Sequence, residues 1–331
     1  MSRCNEEFTM KAAVYYQTGA PDVFRYEEIA DPVPMDHELM LRVEAISIEG
    51  GDTLNRLGGD MATVPHVVGY QCAGVVVQVG SLITKFKVGD RVVTTGTHGS
   101  HAELRVAGEA FCWAIPEGLS TLDAACVPIA FGTAHDSLFE FGRLQAGETV
   151  LVHAGASGVG IAAIQLAHQA GATVLATASS DERLARLTPY GLDHGINYVT
   201  SDFEEEVRRI TNGRGADVII DSVGGPTLQK SLRSLAYRGR CISFGDAGRD
   251  SAPTLDVSTL RGNNQSLTGY FLGAELFFGT RAYDMVANLL AEVAAGSLKV
   301  VIDQAFSLEN AEEAHAYIEG RQAFGRVVLQ P

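Results

Sequence analysis

The chain has 331 residues, 46% of them hydrophobic, and its 40 acidic against 25 basic side chains give a formal charge of −15 at pH 7. This length predicts two domains, and the acidic balance argues against nucleic acid or an anionic membrane as a main partner. No apolar run is long enough for a membrane span, and the first ten residues do not resemble a secretion signal, so a cytoplasmic protein is expected. The five cysteines are far apart and form no C-x-x-C pair, which predicts reduced thiols.

Residues 1–120 predict a β-rich domain. Short apolar runs are separated by turns that contain glycine or proline, a pattern typical of antiparallel sheets and partly closed barrels. The predicted strands are Lys11–Tyr16, Met40–Ile46, Gly74–Val79 and Arg91–Thr95.

The middle of the chain alternates between apolar strands and amphipathic helices, which predicts a parallel sheet covered on both faces. The predicted strands are Val150–Val152, Thr173–Ala176, Val218–Asp221 and Cys241–Phe244, and the predicted helices are Ile161–Gln169, Glu182–Leu187, Phe203–Ile210 and Thr227–Leu235. Two more helices, Ala282–Ala295 and Asn310–Glu319, and a last strand, Arg326–Gln330, follow. We therefore expect an α/β chain in which a doubly wound parallel-sheet domain (126–265) interrupts a β-rich domain (1–125 and 266–331).

A glycine-rich turn stands between the first strand and the first helix of the alternating region. Gly155, Ser157 and Gly160 occupy the three small-residue positions of a G-x-G-x-x-G turn, which Gly158 and Val159 complete. Such a turn lets backbone N–H groups approach a pyrophosphate and brings the helix N-terminus to the phosphates. Because a strand precedes it and another follows at the right distance, we interpret it as a dinucleotide site. The alternative is a turn that only packs a helix on a sheet.

The end of the second strand of this region indicates which dinucleotide is bound. Proteins that use NAD carry an acid there for the ribose 2′-hydroxyl, whereas this chain has Ala178, followed by Ser179 and Ser180. Two hydroxyls and the Arg183 guanidinium would hold a 2′-phosphate, which an acid would repel. The pattern favours NADPH, although Asp181 lies close by. The alternative is that a serine only caps the next helix and Arg183 is a surface charge.

Eight segments spread along almost the whole chain form a further pattern: residues 52–58, 66–75, 88–92, 132–134, 153–160, 196–198, 221–225 and 243–245. In sequence and in order they resemble the zinc-free medium-chain dehydrogenases/reductases of the quinone-oxidoreductase (zeta-crystallin-like) type. The resemblance implies a GroES-like β-rich catalytic domain plus a Rossmann domain, usually as a homodimer. It also implies that NADPH is held by the glycine turn and by Ser180, Arg183, Tyr198, Phe244 and Arg321.

The resemblance also bears on zinc. Zinc-containing relatives carry Gly-His-Glu where this chain has Gly69-Tyr70-Gln71, so that a phenol replaces the imidazole and an amide replaces the acid. No cysteine stands in residues 47–52, and His66, His98 and His101 have no partner in a zinc-binding motif. A catalytic zinc is therefore not expected.

The candidate catalytic residues are Tyr70, Gln71, Glu49 and Asp52. The first two occupy the positions of a zinc ligand and its neighbour in relatives, so they are expected to face the nicotinamide. Asp52 belongs to a D-x-x-x-R-x-G segment of the same wall. Glu49 replaces an asparagine that the family often has, and two glycines follow it. Two interpretations of Glu49 remain open: a proton donor whose pKa burial raises, or a structural acid paired with Arg56.

Without a metal to stabilise an alkoxide, hydride transfer is easiest to an electron-poor acceptor that delocalises charge onto oxygen. The first hypothesis is therefore an NADPH-dependent reductase of quinones or α,β-unsaturated carbonyls. The alternatives are an enoyl-thioester reductase and a non-catalytic NADPH-binding sensor. Phe271, Phe277 and Phe278 are expected either to line an apolar acceptor pocket or to pack in the core or a dimer interface.

Overall fold

A computed structural model describes residues 9–250 and 254–331 of the chain, so Cys4 and most of the N-terminal segment lie outside the described residues. The chain divides into two compact units. One, the β-rich unit, comprises residues up to Ile129 together with Gly279–Pro331, and the other, the nucleotide unit, comprises Ala130–Phe278.

The described part of the chain contains sixteen strands. In the β-rich unit they are β1 Thr9–Tyr15, β2 Arg25–Ala30, β3 Glu38–Ser47, β4 His66–Val67, β5 Gln71–Val79, β6 Arg91–Thr95, β7 Leu104–Gly108 and β8 Cys112–Ala114. In the nucleotide unit they are β9 Thr149–Val152, β10 Thr173–Ala178, β11 His194–Asn197, β12 Ala216–Asp221, β13 Leu235–Ser243 and β14 Ser266–Gly269. The last two, β15 Ile302–Ser307 and β16 Arg326–Gln330, return to the β-rich unit.

The described α-helices alternate with these strands mainly in the middle of the chain. They are α1 Gly50–Gly58, α2 Thr121–Ala124, α3 Pro128–His135, α4 Gly158–Gln169, α5 Asp181–Leu187, α6 Phe203–Ile210, α7 Gly225–Arg233, α8 Ser258–Arg261, α9 Leu272–Phe278, α10 Arg281–Ala294 and α11 Ala311–Glu319. A π-helical turn, Asp136–Glu140, follows α3 directly.

The β-rich unit contains a three-stranded sheet, β2-β1-β4, and a seven-stranded sheet, β15-β16-β3-β5-β6-β8, in which β7 also pairs with β3. All its strand pairs are antiparallel except β15 with β16. Apolar side chains of β3, β5, β16 and α11 form one of its cores, because alternate residues of each strand point to the same face.

The nucleotide unit is a six-stranded parallel sheet in the order β11-β10-β9-β12-β13-β14. The order reverses between β9 and β12, and in such sheets ligands bind at the carboxyl ends of the strands beside this switch point. All four residues of β9 are buried, and its neighbours contribute most of the core cluster of this unit. The predicted α/β class, with a β-rich domain and a doubly wound parallel sheet, is confirmed.

Two boundaries differ from the sequence-based expectation. The nucleotide unit extends past residue 265, because β14 pairs with β13 and adds a strand to its sheet. The helix predicted to end at Leu235 ends instead at Arg233. Leu235 begins β13, where it pairs with Ala216.

Candidate functional site

The glycine-rich turn joins β9 to α4 at the carboxyl edge of the parallel sheet. Ser157 is the N-cap of α4, and its hydroxyl oxygen accepts a hydrogen bond from the Gly160 backbone N–H at 3.0 Å. Ala154 has a positive φ of 49°, a conformation that non-glycine residues rarely adopt and that concentrates at functional turns. The first turn of α4, which contains Gly158 and Val159, therefore presents its N-terminus at this edge.

Close packing explains the glycines of the turn. A Cβ on Gly155 would lie 2.8 Å from the Ala176 Cβ, so a side chain there would push the turn away from β10. A Cβ on Gly160 would lie 2.6 Å from the Gly155 carbonyl oxygen. Because neither residue has a side chain, a pyrophosphate could approach the backbone of the turn closely.

A buried polar network lies behind the turn. The two ring nitrogens of His153 lie 3.1 Å from the Thr177 hydroxyl and 3.0 Å from the Ser231 hydroxyl, which in turn donates to an Asp221 carboxylate oxygen at 2.9 Å. The other Asp221 oxygen accepts from the backbone N–H groups of Val223 and Gly224. Burial lowers the pKa of His153, so the network joins the ends of β9, β10 and β12 through a neutral imidazole. The sequence alone does not predict that His153 and Asp221 join these strand ends.

The residues that follow β10 are those predicted to favour NADPH over NADH. Ser179 follows the strand, and Ser180 is the N-cap of α5, with its hydroxyl oxygen accepting from the Arg183 backbone N–H at 3.2 Å. Tyr198 follows β11, is 45% exposed and donates its backbone N–H to the Ala178 carbonyl. Asp181 accepts a hydrogen bond from the Asn197 side chain.

A cavity of about 520 Å³ opens at the carboxyl ends of β13 and β14. Phe244, Tyr270 and Phe271 contribute aromatic walls to it, while Asp246 and Glu275 contribute carboxyl groups. Three phenylalanines were expected either to line an apolar acceptor pocket or to pack in the core or a dimer interface, and of these Phe271 is among the lining residues of this cavity. The other two, Phe277 and Phe278, are 71% and 85% exposed and are not among its lining residues.

Arg321, the last predicted cofactor residue, belongs to the β-rich unit rather than the nucleotide unit. It is exposed, follows α11 and has a positive φ of 55°. Its part in cofactor binding therefore remains a prediction.

Tyr70 lies against the first turn of α1 in the β-rich unit. Its backbone N–H donates to one Asp52 carboxylate oxygen at 3.1 Å, and the other oxygen accepts the Glu49 backbone N–H at 2.8 Å. Burial, followed by the charges of Asp52 and Glu49, raises the pKa of the half-buried Tyr70 phenol to about 12. The phenol is therefore protonated at neutral pH, and within residues 9–250 and 254–331 its oxygen makes no hydrogen bond.

Glu49 pairs with Arg326, not with Arg56 as one interpretation of the sequence proposed. The Arg326 guanidinium donates to both Glu49 carboxylate oxygens, one of them at 3.1 Å, and also to the Ser47 hydroxyl. The Gln71 amide donates to Glu49 and accepts the Ile129 backbone N–H. Both Glu49 and Gln71 are buried with their polar atoms engaged, so neither side chain faces outward to a substrate.

Burial also sets the charge of this network. Desolvation raises the pKa of Glu49, and the Arg326 charge opposes that effect. Asp52 is fully buried without a cation as hydrogen-bond partner, and desolvation raises its pKa to about 8. Among the candidate catalytic residues, the structure thus makes Tyr70 the one whose polar atom is available.

Arg56 has different partners, in a cluster of buried histidines. Its guanidinium binds Glu319 and donates from Nε to the His315 Nδ1 at 3.4 Å. The His315 proton is therefore on Nε2, which lies 3.1 Å from the His101 Nε2. The His101 proton is then on Nδ1, beside the Ser100 hydroxyl. The hydrogen bonds thus require both imidazoles to be neutral.

This cluster predicts that acid destabilises the protein. Burial and the Arg105 charge lower the pKa of His101 from 6.5 to about 3, and burial with His101 and Arg56 lowers that of His315 well below 6.5. The unfolded chain takes up these protons first, so below pH 6.5 each imidazole lowers the free energy of unfolding by about 1.4 kcal/mol per pH unit, whereas Asp52, whose pKa is raised in the folded chain, contributes in the opposite direction. Urea titrations between pH 7.5 and 5 measure this slope.

The matched variants for that measurement are His315→Gln and His37→Gln. His37 is exposed, so its replacement should leave the slope unchanged. His315→Gln should flatten the slope, and a wild-type slope in that variant would rule out the buried pair as the cause.

Family models of known proteins match segments in both units of the chain. Residues 35–117 match the family model described as the alcohol dehydrogenase GroES-like domain, and residues 158–295 match that of the zinc-binding dehydrogenases. The chain is 36% identical to a 2-haloacrylate reductase from a Burkholderia species, over 97% of this chain and 98% of that protein. It is 31% identical to the human quinone oxidoreductase, over 97% of each. The chain belongs to the medium-chain dehydrogenase/reductase family, in its quinone-oxidoreductase type.

A solved structure of this family extends the comparison to a bound nucleotide. The Escherichia coli quinone oxidoreductase complexed with NADPH superposes with a TM-score of 0.92 at 28% identity, covering 97% of this chain and all of that one. The chain is thus an oxidoreductase of a medium-chain dehydrogenase/reductase type that includes NADPH-binding members. None of the helices in residues 9–250 and 254–331 has the length and apolar character of a membrane span.

One of the matched family descriptions mentions zinc, but the side chains at the corresponding position of this chain are not zinc ligands. In the described parts of the chain no three His, Cys, Asp or Glu side chains are arranged to hold a metal ion. Tyr70 and Gln71, which the resemblance in sequence places where zinc-containing relatives carry a ligand and its neighbour, offer a phenol and an amide, and the Gln71 amide is engaged by Glu49 and Ile129. The donor set at this position of the medium-chain dehydrogenase/reductase fold therefore does not fit zinc.

Proposed function

We propose that the chain is an NADPH-dependent reductase that transfers hydride to a quinone or an α,β-unsaturated carbonyl without zinc. The observation that carries the proposal is the glycine turn at the end of β9, with uncharged Ala178, Ser179 and Ser180 at the end of the neighbouring strand. That turn fits a pyrophosphate, and the adjacent strand end fits a 2′-phosphate, because no acid occupies its last position.

We assign cofactor binding to the glycine turn (Gly155, Ser157, Gly158, Val159 and Gly160), the 2′-phosphate to Ser179, Ser180 and Arg183, and further contacts to Tyr198, Phe244 and Arg321. The Ser180 oxygen already accepts the Arg183 N–H, so its hydroxyl proton remains available to donate to a phosphate oxygen. When bound, NADPH supplies the hydride.

Replacing Arg183 with alanine should weaken NADPH binding at least tenfold and leave NADH binding nearly unchanged, because only NADPH carries the 2′-phosphate. Titration of nucleotide fluorescence measures both dissociation constants. Arg186→Ala is the matched control, since it removes the same charge three residues further along α5. An equal loss for the two nucleotides would refute the assignment.

In the β-rich unit we assign Tyr70 as the hydrogen-bond donor to the acceptor oxygen. A quinone or enone gathers negative charge on oxygen as hydride arrives, and a protonated phenol stabilises that charge and can supply the proton. Asp52 and Glu49, proposed from the sequence as catalytic, and Gln71 with them, act in this scheme as positioning residues for Tyr70, because their polar atoms are engaged inside the protein.

The acceptor class can be found by steady-state NADPH oxidation with 1,4-benzoquinone, an ortho-quinone, a simple enone, 2-chloroacrylate and crotonyl-CoA. Turnover with a quinone or an α,β-unsaturated carbonyl supports the proposal. Turnover with crotonyl-CoA alone would favour the enoyl-thioester reductase. Tight NADPH binding without turnover across the panel would favour the non-catalytic sensor. The homodimer that the resemblance implies remains a prediction, which light scattering tests.

A further inference from the structure

The first turn of α1 contains two adjacent glycines that differ in their surroundings. Gly50 and Gly51 follow the N-cap Glu49, and neither has a positive φ, so backbone conformation does not require glycine at either position. Glycine in a helix costs about 1 kcal/mol relative to alanine. A side chain is therefore excluded from either position only if other atoms occupy the space around it.

That space is open at Gly50 and occupied at Gly51. A Cβ built on Gly50 meets no atom within 4 Å. A Cβ built on Gly51 would lie 2.7 Å from the Tyr70 phenol oxygen and 2.8 Å from its Cζ, with Cε2 nearer still. All three nearest atoms belong to the Tyr70 ring, so the end of that ring rests directly on the backbone of residue 51.

The same turn of helix also holds the Tyr70 backbone. Asp52, the next residue of α1, accepts the Tyr70 N–H, and the Glu49 carboxylate is fixed by Arg326. The backbone of Tyr70 is thus held by a hydrogen bond, and its ring packs against the first turn of α1. A methyl group at residue 51 would move the phenol rather than the helix, because the ring end is the more mobile partner.

We infer that Gly51 is a positioning residue that sets where the Tyr70 hydroxyl stands, and thereby which acceptors receive its hydrogen bond. This inference rests on the proposed function, in which Tyr70 donates to the acceptor oxygen. With glycine at residue 51 the hydroxyl rests against α1. A side chain at residue 51 would push the hydroxyl away from α1 and toward the acceptor, which a large acceptor tolerates less than a small one.

The test compares Gly51→Ala with the matched variant Gly50→Ala. Gly51→Ala should lower kcat at least tenfold with the best acceptor, should lower it more for a large ortho-quinone than for a small enone, and should leave the Kd for NADPH unchanged. Gly50→Ala should retain wild-type kcat. Equal kcat values and equal acceptor ratios in the two variants would overturn the inference.

Double variants show whether Gly51→Ala acts by displacing the Tyr70 ring or by disturbing the fold in another way. In a Tyr70→Ala background, where no ring rests on the helix, Gly51→Ala should change kcat by less than twofold. The same tenfold loss there would show that residue 51 acts independently of Tyr70 and would overturn the inference. If Tyr70→Ala and Tyr70→Phe both keep full activity, the proposed function of the phenol fails instead.

The position of the Tyr70 ring can also be followed without measuring turnover, which is useful if a variant has little activity. With 3-fluorotyrosine incorporated at residue 70, the fluorine resonance should shift in Gly51→Ala and stay in place in Gly50→Ala. An unchanged resonance in Gly51→Ala would contradict the inference directly.

Discussion

Tyr70→Phe is expected to lower kcat for the best acceptor by about 10²-fold and to leave the Kd for NADPH unchanged. Removal of one preorganised donor to a developing oxyanion typically has an effect of this size. The substitution keeps the ring that packs on Gly51, so only the hydroxyl is lost. Because burial and the nearby carboxyl groups raise the pKa of this phenol to about 12, the loss should be the same at pH 6 and pH 8.5.

The measurement is steady-state NADPH oxidation, with nucleotide binding titrated separately. Tyr16→Phe is the matched control, because Tyr16 is 48% exposed and its hydroxyl binds Glu27 on the neighbouring strand. Unchanged turnover in Tyr70→Phe would remove the phenol from the mechanism. A weakened Kd for NADPH would instead show that the phenol acts on the cofactor.

Arg326→Met is expected to lower the free energy of unfolding by about 3–5 kcal/mol, because it leaves the buried Glu49 carboxylate without its cation. The double variant Glu49→Gln/Arg326→Met removes both charges and should recover most of that loss. Urea unfolding of the wild type, the two single variants and the double variant measures the coupling.

The comparison pair for this cycle is Arg209 with Glu206, which are exposed neighbours on α6. Solvent screens that pair, so Arg209→Met should change stability little. If Arg326→Met were equally mild, or if the double variant were no more stable than Arg326→Met alone, the buried pair would not be what holds the first turn of α1.

The local structure of the glycine-rich turn could be predicted from the sequence because its signals are local. Gly155, Ser157 and Gly160 fall within six residues, between a buried strand and a helix. The contacts they make, such as the Ser157 cap, depend on neighbours a few positions away. The structure adds mainly the buried His153 network, which joins residues 78 positions apart.

The contacts of the candidate catalytic residues were less predictable, because they join distant parts of the chain. Glu49 pairs with Arg326 across 277 positions, and no local pattern distinguishes that arginine from Arg56. The available signal was an arginine at the start of the last strand, directly before three apolar residues, which is unusual unless the charge has a buried partner. Likewise the glycine pair after Glu49 was visible, but only packing shows that the Tyr70 ring rests on one of the two.

The most direct test of the central claim is hydride transfer from NADPH that carries deuterium at both C4 positions of the nicotinamide to the best enone of the acceptor panel, under anaerobic conditions. We predict a primary isotope effect on turnover and one deuterium at the β-carbon of the reduced product, in equal amount to the NADP⁺ formed. NADPH that binds tightly but is not consumed, or is consumed without deuterium entering the product, would contradict the assignment of this chain as a hydride-transferring reductase.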